Sequence, residues 1–249
     1  MIEVRDLKKS FGPVPVLQGV TFTVQKGEAV VIIGASGGGK SILLKHLIGL
    51  ITPDQGEVCI DGRSMAGLNE RQLLQIRRKF GMLFQGAALF DSLNVEQNIG
   101  FILDREQNHP PGEIAQRVAE VLELVGLAGI GKKWPAELSG GMRKRVGLAR
   151  AIIYHPEILL YDEPTTGLDP IAADAIDQLI ARVGDTFKIT SIAVTHDMRS
   201  ARRIGRRILM LHQGRIYADE PPDDMFKSSD PVIHRFVNGI YEPGEQFSL

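Results

Sequence analysis

A glycine-rich segment near the N-terminus has the residue types that bind phosphate. It runs Gly34-Ala35-Ser36-Gly37-Gly38-Gly39-Lys40-Ser41, between five consecutive apolar residues and a stretch with helical apolar spacing. Glycines let successive backbone N–H groups face one centre, Lys40 supplies a positive charge for the β- and γ-phosphates, and Ser41 can ligate Mg²⁺. A strand, this loop and a helix in that order are what a P-loop requires, so we predict a nucleotide phosphate site.

Two carboxylates follow another apolar run, much further along the chain. Residues 158–161 have the pattern of a buried strand, and Asp162 and Glu163 come directly after it. At the rim of a sheet, Asp162 would hold Mg²⁺ directly or through water, and Glu163 would accept a proton from an attacking water. Taken alone, a strand that ends in acidic residues before Pro164 is equally typical of an ordinary turn. The phosphate loop upstream favours the catalytic interpretation.

The composition is that of a folded globular protein. The 249 residues are 43% hydrophobic and 24% charged, and the formal net charge is −1. Because no strong overall field attracts nucleic acid or anionic lipid, affinity for either would need a local patch. The single Cys59 excludes an internal disulfide and fits a reducing compartment. Charged residues interrupt any signal-peptide core, and no apolar run approaches the roughly 18–20 residues of a membrane span, so we expect neither export by that route nor a membrane-spanning segment.

The apolar pattern predicts which elements position these groups. Strands are predicted at residues 2–7, 20–24, 29–33, 56–62, 158–161, 189–194 and 208–211. Helices are predicted at residues 41–50, 114–125, 142–153, 171–183 and 198–204, with Gly126 ending the second of them. Alternation of strands and helices in the second half implies a parallel sheet covered by helices.

Four further motifs accompany the phosphate loop and the carboxylates. They are Gln85, Leu138-Ser139-Gly140-Gly141-Met142 just before the carboxylates, Gly167-Leu168-Asp169 just after them, and His196. In order and spacing, the sequence resembles the ATP-binding cassette family over essentially residues 1–220. The resemblance implies an α/β fold, with a P-loop NTPase (RecA-like) parallel sheet core and an N-terminal antiparallel β subdomain. It also implies a helical signature subdomain inserted at about 86–155; a partly helical tail, 221–249, would follow and pack on its own domain or reach a second copy.

The chemistry implied by the resemblance is ATP hydrolysis with Mg²⁺. Glu163 would be the general base, His196 would contact the γ-phosphate, Lys40 would bind phosphates, and Gln85 would contact the Mg²⁺ and the lytic water. ATP would be bound by residues 34–41 together with Phe11, Ser139, Gly140, Gly141 and Asp169, and Mg²⁺ by Ser41, Gln85 and Asp162. Phe11 stands where the family places an aromatic ring, usually Tyr, against adenine. Since stacking needs a ring face and not a hydroxyl, we expect Phe11 to stack on adenine in place of the usual Tyr.

The partners implied begin with a second copy of the chain. In the family two cassettes pack head to tail, and each ATP lies between the P-loop of one copy and the signature motif of the other. A cassette without its own membrane span implies a separate permease, on the cytoplasmic side of the inner membrane. Residues 85–93 lie where transporter cassettes contact a permease helix, which makes Leu89 and Phe90 candidate contacts. The alternative is that both side chains pack inside the helical lobe.

The cargo is suggested by a narrower resemblance. The stretch after Gln85, with residues 91–95 and the signature region, resembles the subgroup associated with MCE-domain lipid transporters. It implies phospholipid transport with an MCE lipid-binding protein and a small STAS-type subunit, and no nucleic acid. A cassette that moves another solute and a soluble cassette outside transport are the alternatives. Met142 departs from the usual Gln of the signature; the basic triplet 143–145 is expected to be solvated or to bind nucleotide phosphate across the dimer.

Overall fold

The computed structural model describes residues 1–106 and 109–240 of the chain. Their contacts divide into two compact units, the first formed by residues 1–77 and 192–240 and the second by residues 78–106 and 109–191. None of the helices in the described part of the chain combines the length and apolarity that a membrane crossing requires.

The described elements include every strand and helix that the apolar pattern predicts, together with several that it does not. Residues 1–77 form β1 (Ile2–Phe11), β2 (Val14–Val24), β3 (Ala29–Ile33), α1 (Lys40–Leu47), β4 (Gln55–Ile60), β5 (Arg63–Ser64) and α2 (Glu70–Arg77). Residues 78–189 form β6 (Phe80–Leu83), α3 (Val95–Glu106), α4 (Pro111–Leu124), a 3-10 turn (Pro135–Glu137), α5 (Gly140–Ile152), β7 (Ile158–Asp162) and α6 (Pro170–Phe187). The remainder forms β8 (Thr190–Thr195), α7 (Met198–Ile204), β9 (Arg207–His212), β10 (Arg215–Glu220), α8 (Pro222–Lys227) and α9 (Pro231–Asn238).

The first unit contains two sets of strands. An antiparallel sheet has the order β2-β1-β4-β5 and confirms the predicted N-terminal β subdomain. A second set has the order β10-β9-β3-β8, in which β3 pairs with β9 in parallel. Val30 to Ile33 of β3 are at most 1% exposed, as expected of a strand that is covered on both faces. The phosphate loop therefore directly follows a buried strand.

The second unit places helices beside a short parallel pair of strands. β6 pairs with β7 in parallel, with Leu83 opposite Tyr161. The predicted apolar stripes of α4 and α5 are confirmed as core, since Val118, Val146 and Ile153 are each no more than 5% exposed. Gly126 ends α4 with a φ of +70° and its N–H donates to the carbonyl of Glu123 at 2.9 Å, as predicted.

The C-terminal segment carries two short helices within the first unit. α9 buries Ile233 and Val237, and the Tyr217 hydroxyl donates to the Asp230 carboxylate at 3.0 Å. Residues 241–249, the end of the predicted tail, lie outside the described residues.

Replacement of Tyr161 by phenylalanine is expected to stabilise the protein. Tyr161 of β7 is 0% exposed, and its hydroxyl has no hydrogen-bond partner among the described residues. A buried polar group without a partner costs about 1–3 kcal/mol, so Tyr161→Phe is expected to raise the free energy of unfolding by about 1 kcal/mol. Urea denaturation measures the difference.

The matched control is the half-buried Tyr154 of the same unit. The hydroxyl of Tyr154 donates to the Phe80 carbonyl, so Tyr154→Phe removes a hydrogen bond and is expected to destabilise the fold. If Tyr161→Phe lowers the free energy of unfolding as much as Tyr154→Phe does, the Tyr161 hydroxyl has a partner and the interpretation is wrong.

Candidate functional site

The phosphate loop connects β3 to α1 in the first unit. A Cβ added at Gly34 would lie 2.4 Å from the Leu211 carbonyl oxygen of β9, so the loop starts where no side chain fits. Gly39 precedes α1 with a φ of +96°, a conformation that L-residues rarely adopt. The Lys40 ammonium donates to the carbonyls of Gly34 at 2.8 Å and Ala35 at 3.0 Å. The loop therefore curls around the lysine that the sequence assigns to phosphate.

Two other predicted nucleotide contacts belong to the same unit. His196 comes directly after β8, the neighbour of β3, and its side chain is exposed. Phe11 ends β1 with 47% of its surface exposed, and the Lys9 ammonium lies 5.7 Å from the ring centroid. Phe11 thus offers an accessible ring, which base stacking requires.

The two carboxylates lie at the end of β7 in the second unit. Asp162 is its last residue and Glu163 follows; they are 8% and 9% exposed. Glu163 has a φ of +48°, a left-handed conformation that costs a non-glycine residue of the order of 1–3 kcal/mol and must be held by its surroundings. The Thr166 hydroxyl donates to Glu163 Oε2 at 3.2 Å. The carboxylate is therefore both shielded and oriented.

The signature motif begins α5 in the same unit. Ser139 caps this helix, and its hydroxyl oxygen accepts from the Met142 N–H at 3.3 Å. A Cβ added at Gly140 would lie 3.2 Å from Leu168 Cδ2. Asp169 Oδ1 accepts from the N–H groups of Ile171 and Ala172, both at 3.0 Å, and so caps α6. The structure therefore brings the signature motif next to the Gly167-Leu168-Asp169 segment.

Residues 85–88, called the Q-loop below, follow β6. The Lys144 ammonium of α5 donates to the Gln85 carbonyl and, at 3.2 Å, to the Glu163 carbonyl. Lys144 is 5% exposed; burial lowers its pKa, whereas the nearby charges of Asp162 and Glu163 raise it. The expectation of a solvated or phosphate-binding side chain is wrong for Lys144. Nothing in the sequence signals these contacts.

The other two cations of the triplet also have backbone partners. Arg143 donates to the Leu138 carbonyl at 2.7 Å, and Arg145 donates to the Val125 carbonyl at 3.1 Å. The triplet therefore joins α5 to four different segments of its own unit. Among these contacts, only those of Lys144 reach the Q-loop and Glu163.

A second cation from α5 holds the rest of the Q-loop. Arg150 donates to the carbonyls of Ala87 and Ala88, both at 2.7 Å, and these two residues have φ values of +61° and +47°. The Arg150 guanidinium also lies 5.9 Å from the ring centroid of Phe90. Phe90 is 44% exposed and contacts Phe101, with ring centroids 4.8 Å apart. The Phe90 ring thus lies against side chains of α3 and α5, and part of the ring surface stays accessible.

Comparison with known proteins identifies the family. The profile described as "ABC transporter" matches residues 17–166. The chain belongs to this family. As an ATP-binding cassette it is an ATPase subunit, and cassettes of the family act as dimers with membrane permease subunits.

Three similar proteins carry names that describe different compounds. The chain is 43% identical to Protein TRIGALACTOSYLDIACYLGLYCEROL 3, chloroplastic, of Arabidopsis thaliana, and the match covers 96% of this chain and 74% of that protein. It is 42% identical to the probable ribonucleotide transport ATP-binding protein mkl of Mycobacterium tuberculosis, over 96% of this chain and 66% of that one. It is 40% identical to the methionine import ATP-binding protein MetN of Mesorhizobium japonicum, over 98% of this chain and 66% of that protein. The ABC chain thus spans slightly less than two thirds of the latter two proteins.

A solved structure supports the same family and its nucleotide. The ATP-binding cassette MJ0796, solved as a dimer in a post-hydrolysis state bound to ADP and Pi, superposes with a TM-score of 0.82 at 33% identity. The superposition covers 89% of this ABC chain and 99% of that chain.

Proposed function

We propose that this chain is the ATP-hydrolysing subunit of a transporter that moves phospholipid through a separate membrane permease. The observation that carries the proposal is the segment after the Q-loop, which resembles the MCE-associated subgroup that includes the phospholipid-transport ATPase MlaF and leaves Phe90 44% exposed. A relative that is 43% identical over 96% of this chain bears the name of a glycerolipid. The names of other relatives describe ribonucleotide transport and methionine import, so a polar solute is the alternative cargo.

We assign the nucleotide chemistry residue by residue. In the first unit Lys40 and residues 34–41 bind the phosphates, Phe11 stacks on adenine, and His196 contacts the γ-phosphate. In the second unit Glu163 accepts the proton of the attacking water, and Gln85 orients that water. The burial of Glu163 and its hydrogen bond from Thr166 support this role, because a base must face the water in one orientation.

A magnesium ion fits the oxygen donors that the sequence supplies. Carboxylate, amide and hydroxyl oxygens are ligands that Mg²⁺ accepts, and Asp162, Gln85 and Ser41 provide them. When bound, Mg²⁺ neutralises charge on the phosphate oxygens. Asp162 is 8% exposed at its strand end, which is a position suited to a charged ligand and unsuited to a solvated surface carboxylate.

The assembly proposed has four kinds of component. A second copy presents Ser139, Gly140, Gly141 and Asp169 to the ATP that is bound by the first copy, so a single chain cannot complete the site. The permease binds at Phe90 and the half-buried Leu89, which places the cassette, residues 1–220, at the cytoplasmic face of the inner membrane. An MCE lipid-binding protein and a small STAS-type subunit complete the complex, and nucleic acid has no part in it.

Purification from native membranes tests the cargo. The chain is isolated with its partners intact, the co-purifying subunits are identified, and bound lipid is measured by mass spectrometry against a Lys40→Ala control. We expect a permease, an MCE protein and enriched phospholipid, with the lipid profile altered in the control. A permease that arrives with a solute-binding protein and without enriched lipid would leave the ATPase assignment in place and refute phospholipid as cargo.

A further inference from the structure

The backbone of Glu163 needs support that its own strand does not provide. Its φ of +48° lies in the left-handed region although the residue is neither glycine nor asparagine. β7 ends at Asp162, so the Glu163 carbonyl lies beyond the last residue of the strand. That carbonyl accepts from the Thr166 N–H at 3.3 Å and from the Lys144 ammonium at 3.2 Å. Lys144 is thus a tertiary contact that holds the proposed base in an unfavourable conformation.

The same ammonium also holds the Q-loop. β6 and β7 pair in parallel up to Leu83 and Tyr161, and beyond this point the ladder stops. Lys144 donates to the Gln85 carbonyl two residues after Leu83 and to the Glu163 carbonyl two residues after Tyr161. A single ammonium therefore joins the two chain segments just where backbone pairing ends, at the two residues with proposed roles toward the attacking water.

Burial lowers the pKa of the Lys144 ammonium, and its surroundings offset part of this effect. A charge that is 5% exposed is costly unless it is paired or hydrogen-bonded. Lys144 has two carbonyl acceptors, and the charges of Asp162 and Glu163 favour its protonated form. An apolar side chain would avoid the cost of burial, so the fold alone does not require a lysine here.

We infer that Lys144 is a positioning residue for ATP hydrolysis, whose ammonium fixes Gln85 and Glu163 relative to one another through their backbone carbonyls. This inference rests on the roles proposed for those two residues. Lys144 itself touches neither nucleotide nor water in this account. Its removal is expected to slow the chemical step while it leaves ATP affinity nearly unchanged.

The test compares Lys144→Met, Lys144→Arg and Arg182→Met in the 249-residue chain. Methionine keeps the unbranched, apolar stem and removes the donors, whereas arginine keeps the charge and the donors. Arg182 of α6 also donates to a carbonyl, that of Leu124, at 2.7 Å, and it lies outside the motifs. Single-turnover hydrolysis with protein in excess over radiolabelled ATP gives a rate constant that is independent of any inactive fraction, and equilibrium binding gives the affinity for ATP.

We expect Lys144→Met to lower the single-turnover rate constant about 10- to 100-fold, the effect typical of residues that orient catalytic groups. Its ATP affinity is expected to change less than about threefold, since no phosphate contact is lost. Lys144→Arg should recover at least half of the loss on a logarithmic scale. The rate constant of Arg182→Met should stay within about twofold of the parental value. If Lys144→Met fails to fold, Lys144→Gln is used in its place. The glutamine side chain is too short to reach both carbonyls, so we expect the same decrease in the single-turnover rate constant.

Three outcomes would overturn the inference. They are a parental rate constant for Lys144→Met or for Lys144→Gln, an equal loss in Arg182→Met, and no recovery in a folded Lys144→Arg. Glu163→Gln is measured in parallel, because its activity distinguishes a failure of the role inferred for Lys144 from a failure of the proposed function. An inactive Glu163→Gln beside an active Lys144→Met would refute only the role of Lys144, whereas an active Glu163→Gln would refute the assignment of the base.

Discussion

Glu163→Gln is expected to bind ATP with near-parental affinity and to hydrolyse it about 10²–10⁴-fold more slowly, because an amide cannot accept the proton of the attacking water. The substitution preserves the shape of the side chain and an oxygen for the Thr166 hydroxyl, which lies 3.2 Å from Glu163 Oε2. The backbone contacts of Glu163 are also kept. The loss would therefore report on proton transfer and not on folding. With ATP and Mg²⁺, the variant should also accumulate as a closed dimer, which size-exclusion chromatography detects.

The matched control for this variant is a glutamate just before the same strand. Glu157 lies at the surface, 3.5 Å from the Lys79 ammonium, and precedes β7 by one residue. Glu157→Gln removes the same charge and is expected to hydrolyse ATP at the parental rate. Rapid hydrolysis by Glu163→Gln, or an equal loss in Glu157→Gln, would contradict the assignment of Glu163 as the general base.

Lys40→Ala is expected to weaken ATP binding by about 100-fold or more. Hydrogen bonds to a charged group contribute roughly 1.5–3 kcal/mol, and Lys40 would make such bonds to the phosphates. The truncation also removes the ammonium that holds the carbonyls of Gly34 and Ala35, at 2.8 and 3.0 Å, so the loop loses its internal support as well. Equilibrium titration with a fluorescent ATP analogue measures the affinity.

The control is a second lysine of the same helix. Lys45 lies in the last turn of α1, away from the phosphate loop in sequence, so Lys45→Ala changes the net charge equally and should bind ATP with parental affinity. A Lys40→Ala affinity within about threefold of the parent would contradict a phosphate-binding role. An equal loss in both variants would trace the effect to net charge or helix stability.

The sequence predicts elements well where one physical signal dominates. β3 and β7 are continuous apolar runs that end in polar motifs, and Gly126 ends α4 as its position suggests. β6 and β10 are not predicted. β6 has four residues and contains Gly81, whose missing side chain is required because an added Cβ would lie 2.2 Å from the Ala151 carbonyl oxygen. The exposed edge strand β10 runs through Asp219 and Glu220, so no apolar stripe marks it.

The candidate site likewise has a part that the sequence predicts and a part that it does not. Its motif residues are predicted from type and spacing, because phosphate and Mg²⁺ chemistry require glycine, lysine and carboxylate in a set order. The left-handed backbone of Glu163 is not predictable, because the run Asp-Glu-Pro does not specify φ. The carbonyl contacts of Lys144 and Arg150 are equally hidden, because both depend on how α5 packs and a basic residue in a helix usually faces water.

Because Lys144 and Arg150 lie on one helix, their contacts also fix the number of residues between them. The six-residue interval corresponds to about 9 Å along a regular α-helix, and each additional residue turns the helix by about 100°. An insertion or deletion between them would therefore point one cation away from its carbonyls, at Gln85 and Glu163 or at Ala87 and Ala88. Between Lys144 and Arg150, substitutions are therefore compatible with both sets of contacts, whereas insertions and deletions are not.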